Sequence, residues 1–346
     1  LERVPGLRPE EIGDVIMGCA MPYGVQGANM ARLIVQRAGL PDSVTAQTVN
    51  RYCSSGLQTI ATAANAIRCG EEAIMVAGGV ESMSMVPMLI GVEDADPWLR
   101  EHRPEVYTIM GITAENVAKR WNISRADMDA MAAESHRRAA QAQVQGCFDG
   151  QIIPVQIPGA DGQAVTVIRD EGIRPGTTAE KLAELKPCFL EDGLVTAATS
   201  SQRTDGAGFV VLMSAERAQA MGLKPLARFV TFATGGVPAE VMGVGPIEAV
   251  PKALKKAGLT LEEMDTIELN EAFASQALAC IRTLGMDPAR VNPWGGAMAL
   301  GHPLGATGAI LTCKALSYLE HTGGRYGMVT MCIGGGMGAA GIIERL

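Results

Sequence analysis

The sequence has few aromatic side chains, few histidines and no paired-cysteine motif. Aromatic residues make up 4% of the 346 residues, only four histidines are present, and none of the eight cysteines forms a Cys-X-X-Cys pair. Without such pairs we expect no zinc or iron–sulfur site, and the size of the chain and the cysteine spacing argue against a disulfide framework. The composition therefore indicates a reducing compartment and no metal.

Long basic runs and long apolar runs are also missing. The formal net charge is −8, which argues against a nucleic-acid groove but leaves room for a local basic patch that binds an anionic substrate. No apolar stretch reaches the ~18 residues of a membrane span. The sequence begins with Leu1, and its opening residues resemble the end of a helix, so we expect a preceding segment in which a targeting peptide would be invisible.

What the chain does contain is small and apolar residues in a regular alternation of elements. Hydrophobic residues make up 47% of the chain and 41 residues are glycine, and the length fits two domains or one large composite domain. Strand-like runs alternate with helical patterns, which predicts an α/β architecture with mainly parallel sheets. The strand-like runs are DVIMGCA, SVTAQTVN, EAIMVAGG, GFVVLMS, LARFVTF, TIELNEA and YGMVTMCI, and the helices are expected at about 28–39, 55–69, 113–119, 124–146, 177–183, 246–258, 271–285 and 305–320.

Two of the predicted helices, 55–69 and 305–320, are apolar or small nearly all round. An outer helix normally shows a polar face, so we expect both to be sandwiched inside the protein. Each follows a Val-Asn pair, at 49–50 and 291–292, and a glycine-containing turn. This indicates either a weak internal duplication into two α/β halves or a coincidence. Between the halves, about 83–200 has the character of a surface insertion, which often forms part of a substrate site.

Four residues at element junctions are candidates for chemistry. Cys53 lies where a strand gives way to a helix, whose N-terminus would lower the pKa of a thiol, although a structural cysteine is the plainer interpretation. His302 lies in a tight glycine-flanked loop and could serve as the base that a thiol needs. Cys332 precedes a glycine-rich turn and could move protons or simply end a buried strand. Asn270 opens a helix and is either an N-cap or an oxyanion donor.

The other three histidines, His102, His136 and His321, lie in polar stretches and are expected to be solvated. Cys53, Asn270, His302 and Cys332 differ from them because each falls at a junction of the kind where α/β active sites gather. The four together are more specific than any one alone.

The motifs VNRYCSSGL, GGVESMS, MGITAENVA, SSQRTDGA, NEAFA, GGAMALGHPLGATG and CIGGGMGAAG resemble the thiolase family in their order and spacing. The resemblance spans essentially the whole chain and is greater to the degradative 3-ketoacyl-CoA thiolases than to the biosynthetic type, which usually has histidine where this chain has Ile109. It implies a five-layer αβαβα fold of two similar halves with a loop insertion. The halves would be 1–217, which includes the insertion at about 83–200 and lacks the family's first strand, and 224–346.

The resemblance also implies roles. Cys53 would be the acylated nucleophile, Cys332 the acid/base, His302 the residue that activates Cys53 and donates into one oxyanion hole, and Asn270 the residue that holds that hole's water. The backbone N–H groups of Cys53 and Gly334 would form the second hole. The positions expected to line the coenzyme A channel are Met110, Ala227, Thr231, Ala272 and Phe273.

The resemblance implies an acyltransferase for which coenzyme A and acyl-CoA are substrates and no cofactor is required. Homodimers or tetramers are typical of such enzymes, and in bacteria a hydratase/dehydrogenase subunit can join them; a cytoplasmic location follows by analogy with bacterial members, unless the missing segment targets an organelle. The alternatives are a biosynthetic acetoacetyl-CoA thiolase, a decarboxylating condensing enzyme, a papain-like hydrolase and a non-catalytic scaffold or lipid-carrying subunit. Cys332 disfavours the condensing enzyme, and the sequence around Cys53 lacks the papain signature.

Overall fold

The computed structural model describes residues 1–88, 95–159 and 162–346. In these residues ten strands form two four-stranded sheets, in the orders β2–β1–β3–β6 and β7–β10–β9–β8, and one hairpin of β4 and β5. The strands are β1 (Asp14–Gly18), β2 (Thr45–Val49), β3 (Ile74–Glu81), β4 (Val155–Pro158), β5 (Ala164–Val167), β6 (Gly206–Met213), β7 (Ala227–Gly236), β8 (Thr266–Leu269), β9 (Tyr326–Ile333) and β10 (Met337–Arg345).

Eleven α-helices accompany these strands in the described residues, and none of them is long and apolar enough to cross a membrane. All eight helices expected from the sequence are present, and α3, α7 and α10 are additional. The helices are α1 (Met30–Arg37), α2 (Ser55–Arg68), α3 (Pro97–His102), α4 (Met110–Arg120), α5 (Arg125–Val144), α6 (Ala179–Ala183), α7 (Ala215–Ala220), α8 (Gly245–Ala257), α9 (Ala274–Leu284), α10 (Ala297–Leu300) and α11 (Leu304–Thr322).

The sheets and helices stack in five layers. Helix α1 packs on the outer face of the first sheet, against β1 and β2, and α8 packs on the outer face of the second, against β7, β9 and β10. Helices α2 and α11 lie between the sheets, where α11 contacts strands of both. The prediction that these two helices are sandwiched inside the protein is confirmed, and so is the five-layer αβαβα architecture.

The two central helices approach each other at glycines. A Cβ atom at Gly308 would lie 2.3 Å from the Leu57 nitrogen, and one at Gly56 would lie 2.8 Å from the Ala309 nitrogen. Both distances are below any normal contact, so the small side chains are what allows α2 and α11 to pack backbone against backbone. This crossing brings the N-termini of the two helices into the same region of the molecule.

The prediction of mainly parallel sheets is wrong. Strand β1 runs parallel to β2 and β3, and β8 runs parallel to β9, but β3–β6, β9–β10 and β7–β10 are antiparallel. The two sheets nevertheless share one order, in which β8, β9 and β10 of the second sheet correspond to β1, β3 and β6 of the first. Val291 forms a parallel bridge to β8 and so takes the place of β2, which pairs with β1. In the described residues β7 has no counterpart beside β6.

Strand β10 was missed because its sequence, MGAAGIIER, is rich in small residues with low strand propensity. The structure explains those residues by packing. A Cβ atom at Gly338 would lie 2.1 Å from the Gly245 carbonyl carbon, so the start of α8 rests directly on the β10 backbone. The predicted insertion at about 83–200 holds α3 to α6 and the β4–β5 hairpin, and it includes the residues 89–94 and 160–161, which lie outside the described part.

Candidate active site

Cys53 sits in a tight turn between β2 and α2. One 3-10 turn, Tyr52–Ser54, joins directly to α2, and Tyr52 takes a left-handed backbone with φ of 45°. This conformation is unfavourable for a bulky residue and is held by hydrogen bonds. The Tyr52 N–H donates to Asn50 Oδ1 (2.7 Å), and the Ser55 hydroxyl donates to the Tyr52 carbonyl (2.6 Å). The turn leaves Cys53 half-buried, and the three residues before it, with Met337, line a cavity of about 360 Å³.

The Cys53 thiol faces the glycine-rich turn that follows β9. The backbone N–H of Gly334 and that of Cys53 itself are both near enough to the sulfur to lower its pKa. Cys332 is fully buried at the end of β9, and burial is the main reason that its pKa lies well above normal. Cys53 is near enough for a charge on its sulfur to raise the pKa of Cys332 further. The structure therefore brings Cys53, Cys332 and Gly334 together, as the sequence predicts.

His302 and Asn270 form a second pair. Asn270 Nδ2 lies 3.3 Å from His302 Nε2, and the Thr307 hydroxyl lies 2.6 Å from His302 Nδ1. The Thr307 hydroxyl donates its hydrogen to the Pro303 carbonyl (3.1 Å), so its oxygen can only accept from the imidazole. We therefore assign the imidazole proton to Nδ1, which leaves a lone pair on Nε2. Asn270 Oδ1 is buried and makes no hydrogen bond with any described residue.

Burial sets the charge of these groups. It raises the pKa of Cys53 to about 11 and lowers the pKa of His302 to about 4. The N–H groups of Gly334 and Cys53 lower the thiol pKa, but by less than burial raises it. The Glu81 carboxylate adds a further, smaller increase to the pKa of the thiol. The prediction of a lowered thiol pKa is therefore wrong for this structure. At neutral pH the pair is a neutral thiol and a neutral imidazole, so a thiolate requires proton transfer.

Three of the five predicted channel residues share an apolar cluster with Cys332. Met110, Ala272 and Phe273 belong to one apolar cluster with Cys332. The loop that carries Ser200 and Ser201 runs alongside: Ser200 forms a bridge with Phe273, and the Ser201 N–H donates to the Ala272 carbonyl (2.9 Å). These serines were not among the predicted channel residues, although the SSQRTDGA motif could have indicated them.

The other two predicted channel residues, Ala227 and Thr231, do not lie near Cys332. The register of β7 and β9 along β10 corrects the prediction that they line the channel next to the cysteines. Along β10, Met337 pairs with Ile333, next to Cys332, whereas Ala227 pairs with Arg345 at the far end of the strand. Eight residue steps at ~3.3 Å each separate the two ends, roughly 26 Å. Thr231 pairs with Ile342, five steps from Met337, or roughly 17 Å.

The prediction that His136 is solvated is also wrong. Its side chain is buried, its Nδ1 accepts the Arg174 N–H (3.1 Å), and burial lowers its pKa. His136 thus has a structural role between α5 and the loop before α6. In the described part of the chain, no group of three or more His, Cys, Asp or Glu side chains has the geometry to hold a metal ion.

Comparisons with known proteins agree with this architecture. The family profile described as "Thiolase, N-terminal domain" matches residues 1–216, and "Thiolase, C-terminal domain" matches residues 223–345. The chain is 53% identical to a 3-ketoacyl-CoA thiolase of Bacillus subtilis, over 96% of this chain and 87% of that one. It is 46% identical to a beta-ketoadipyl-CoA thiolase of Acinetobacter baylyi, over 100% and 91% of the two chains.

The crystal structure of the dimeric peroxisomal thiolase of Saccharomyces cerevisiae superimposes with a TM-score of 0.91 at 41% identity, covering 98% of this chain and 85% of that one. Both halves of the fold are thus matched by profiles and by a solved structure. The chain belongs to the thiolase family and is an acyltransferase.

Proposed function

We propose that this chain is a 3-ketoacyl-CoA thiolase, which cleaves 3-ketoacyl-CoA with coenzyme A to acetyl-CoA and a shortened acyl-CoA, reversibly and in the direction of fatty acid β-oxidation. The observation that carries the proposal is the arrangement at Cys53. The thiol of Cys53 lies near enough to the backbone N–H groups of Cys53 and Gly334 for them to lower its pKa, and near enough to a second buried thiol, Cys332, for its charge to raise the pKa of Cys332. No conventional hydrolase requires that second thiol.

In the first half-reaction Cys53 gives its proton to His302 and attacks the ketone carbon C3. A neutral imidazole suits this step, because its Nε2 lone pair, which accepts the Asn270 amide N–H in the resting site, can take the proton instead, and the low pKa of His302 lets the proton leave again readily. The tetrahedral oxyanion needs preorganised donors, and losing one such donor typically lowers the rate ~10²–10³-fold. We assign one hole to His302 with a water held by Asn270, whose Oδ1 is free to accept from it.

Collapse of the tetrahedral species breaks the C2–C3 bond and releases the enolate of acetyl-CoA. Cys332 protonates C2, and the shortened acyl group remains on Cys53 as a thioester. In the second half-reaction coenzyme A loses its thiol proton to Cys332 and attacks this thioester, whose oxyanion we assign to the N–H groups of Cys53 and Gly334. Cys53 leaves as a thiolate and takes back from His302 the proton that it gave in the first half-reaction, and Cys332 regains from coenzyme A the proton that it gave to C2. The cycle therefore balances without a metal or redox cofactor, and coenzyme A is a substrate.

The pantetheine arm needs an apolar route to Cys53, and Met110, Ala272 and Phe273 supply apolar surface beside Cys332. We place the arm along this surface, next to Ser200 and Ser201. Ala227 and Thr231 lie too far along the sheet to take part.

We further propose a homodimer and a cytoplasmic location. The dimeric yeast thiolase supports the first, and the bacterial relatives support the second, although the yeast enzyme is peroxisomal. Sedimentation velocity measures the first, and fractionation of the source cells tests the second. A complex with a hydratase/dehydrogenase subunit stays a prediction.

The decisive experiment is thiolysis of 3-ketoacyl-CoA substrates from C4 to C16, followed by mass spectrometry of the acylated cysteine. We expect turnover of chains longer than C4 and a thioester on Cys53. Turnover of acetoacetyl-CoA alone would indicate the biosynthetic type. The beta-ketoadipyl-CoA relative adds 3-oxoadipyl-CoA as a substrate to include. A complete absence of acylation would favour a non-catalytic, lipid-carrying subunit.

A further inference from the structure

Glu81, at the end of β3, is a buried carboxylate on which several donors converge. Its exposed fraction is 1%. Oε2 accepts the backbone N–H groups of Ala20 (2.7 Å) and Gly305 (2.8 Å). Oε1 accepts the N–H of Met21 (3.2 Å) and the Gln26 side-chain amide (2.7 Å). One carboxylate therefore joins the segment after β1 to the first turn of α11, across the boundary between the two halves.

The Ala20 side of this carboxylate leads to Cys53. The Ala20 carbonyl accepts the Asn50 side-chain amide (3.1 Å), and Asn50 Oδ1 in turn accepts the Tyr52 N–H that fixes the turn before Cys53. Two hydrogen bonds thus separate the Ala20 backbone from the residue preceding the nucleophile. A shift of the Ala20 segment would move the support of that turn.

The Gly305 side leads to His302. Gly305 lies in the first turn of α11, whose Thr307 hydroxyl contacts His302 Nδ1 and the Pro303 carbonyl. A Cβ atom at Gly305 would lie 2.8 Å from Glu81 Oε2 and 2.7 Å from the Cys19 Cα, so the residue whose N–H donates to the carboxylate has no room for a side chain. The negative charge also complements the positive N-terminus of α11.

We propose that Glu81 is the positioning residue that sets the distance between Cys53 and His302. It contacts no reacting atom. Its carboxylate is hydrogen-bonded to Ala20, which holds the turn before Cys53, and to Gly305, which lies in the helical turn that contacts His302. The inference rests on the proposed roles of Cys53 and His302 but not on any particular substrate. Charge-assisted hydrogen bonds of this kind are the strong ones, and a donor left unpaired in the interior is expensive.

The test is a double-mutant cycle on the intact chain. Glu81→Gln keeps the volume but turns an amide N–H toward backbone N–H donors, and a misplacement of about 1 Å can lower a rate ~10²-fold. We expect Glu81→Gln to slow alkylation of Cys53 by iodoacetamide and to lower kcat for thiolysis by ~10–10²-fold, with KM changed less. In a His302→Ala background the same substitution should cost less than about threefold, because there is no imidazole left to position.

Asp129→Asn is the matched control, since Asp129 is a buried carboxylate that is bonded to Arg125 and touches no part of the site. We expect it to lower the melting temperature while the alkylation rate stays within about twofold of wild type. If Glu81→Gln does not fold, Glu81→Asp keeps the charge but is one methylene too short to reach both supports, and it should give the same pattern.

The proposal would be overturned if a Glu81 substitution lowered the alkylation rate and kcat by the same factor with and without His302. A wild-type alkylation rate in folded Glu81→Gln or folded Glu81→Asp would overturn it as well. Iodoacetamide needs no acyl-CoA, so these outcomes are distinguishable from a failure of the proposed thiolase reaction. A protein that alkylates as expected but cleaves no 3-ketoacyl-CoA would retain the positioning role and lose the proposed function.

Discussion

The two halves of the molecule make the same connection and use it differently. In the first half, residues 50–54 lead from β2 into α2 and present Cys53. In the second, residues 292–303 lead from Val291 into α11, include the short helix α10 and present His302. A connection of five residues thus presents the proposed nucleophile, and a connection of twelve presents an imidazole beside the N-terminus of the neighbouring helix. The two equivalent connections differ in length and in the side chain that they present.

The Val-Asn pair that begins each connection has the same physical task in both halves. Asn50 donates to the Ala20 carbonyl, just after β1, and Asn292 donates to the Leu269 carbonyl at the end of β8 (2.7 Å). Both asparagines fasten the connection to the neighbouring strand. The second also reaches Glu271 Oε1 (2.9 Å), which steadies the segment that carries Asn270.

The largest expected effect is the loss of Cys53, because only the first-half connection supplies a nucleophile. We expect Cys53→Ala to abolish acyl-enzyme formation and to lower turnover by at least ~10⁴-fold, since covalent catalysis has no substitute here. Cys69, at the opposite end of α2, is exposed, so Cys69→Ala is the control and should retain activity. Intact-protein mass spectrometry with acyl-CoA measures the adduct. An adduct of normal yield in the Cys53 variant would refute the assignment.

Cys332, which comes from the second half, should have a smaller effect and a different signature. A serine hydroxyl at this buried position is a far poorer proton donor than a thiol. We expect Cys332→Ser still to allow some acylation of Cys53 by acyl-CoA while turnover falls by ~10²–10³-fold. Rapid-quench kinetics separates the two steps, and an unchanged turnover would contradict the role.

The crossing of α2 and α11 is where the halves are pressed together, and Gly308→Val tests it. The new side chain would meet the Leu57 backbone, and overpacking a tight interior typically costs ~1–3 kcal/mol, occasionally more. We expect a loss of about 3 kcal/mol in the free energy of unfolding, measured by urea denaturation. Gly150→Val is the control because nothing lies within 4 Å of its Cβ position. Equal free energies of unfolding of the two variants would show that α2 and α11 can move apart to accommodate the new side chain.

The junction residues could be predicted from the sequence because strand and helix boundaries are local properties. Cys53, Asn270, His302 and Cys332 were singled out in this way, and the structure places each at or next to the end of a strand or the start of a helix. The distance from Ala227 to the site could not be found, because it depends on how far β7 extends along β10. The role proposed for Glu81 could not be predicted either, because its partners come from two distant segments, the one after β1 and the first turn of α11, and nothing in GGVESMS indicates them.

The pKa of Cys53 shows a second limit. A helix N-terminus can be predicted from sequence, but the burial that outweighs it is a property of the assembled layers. The same holds for β10, whose glycines indicate a turn until α8 is seen to rest on them. In both cases tertiary packing overrode a correct local tendency.

The smallest effect we expect compares the two ends of α11, where His302 is buried and His321 is exposed. Below pH 6.5 the unfolded chain takes up a proton at His302, whereas the folded protein does so only near its pKa of about 4, so stability falls as the pH drops through this window. The slope approaches its limit of 1.36 kcal/mol per pH unit only below pH 6.5, so wild type should lose about 1.6 kcal/mol between pH 6.5 and 5 that His302→Gln does not lose. His321→Gln, which changes an exposed side chain at the other end of α11, is the control variant. Urea denaturation at each pH measures the difference, and parallel curves for wild type and His302→Gln would mean that the imidazole is solvated, in which case the second connection does not bury its base.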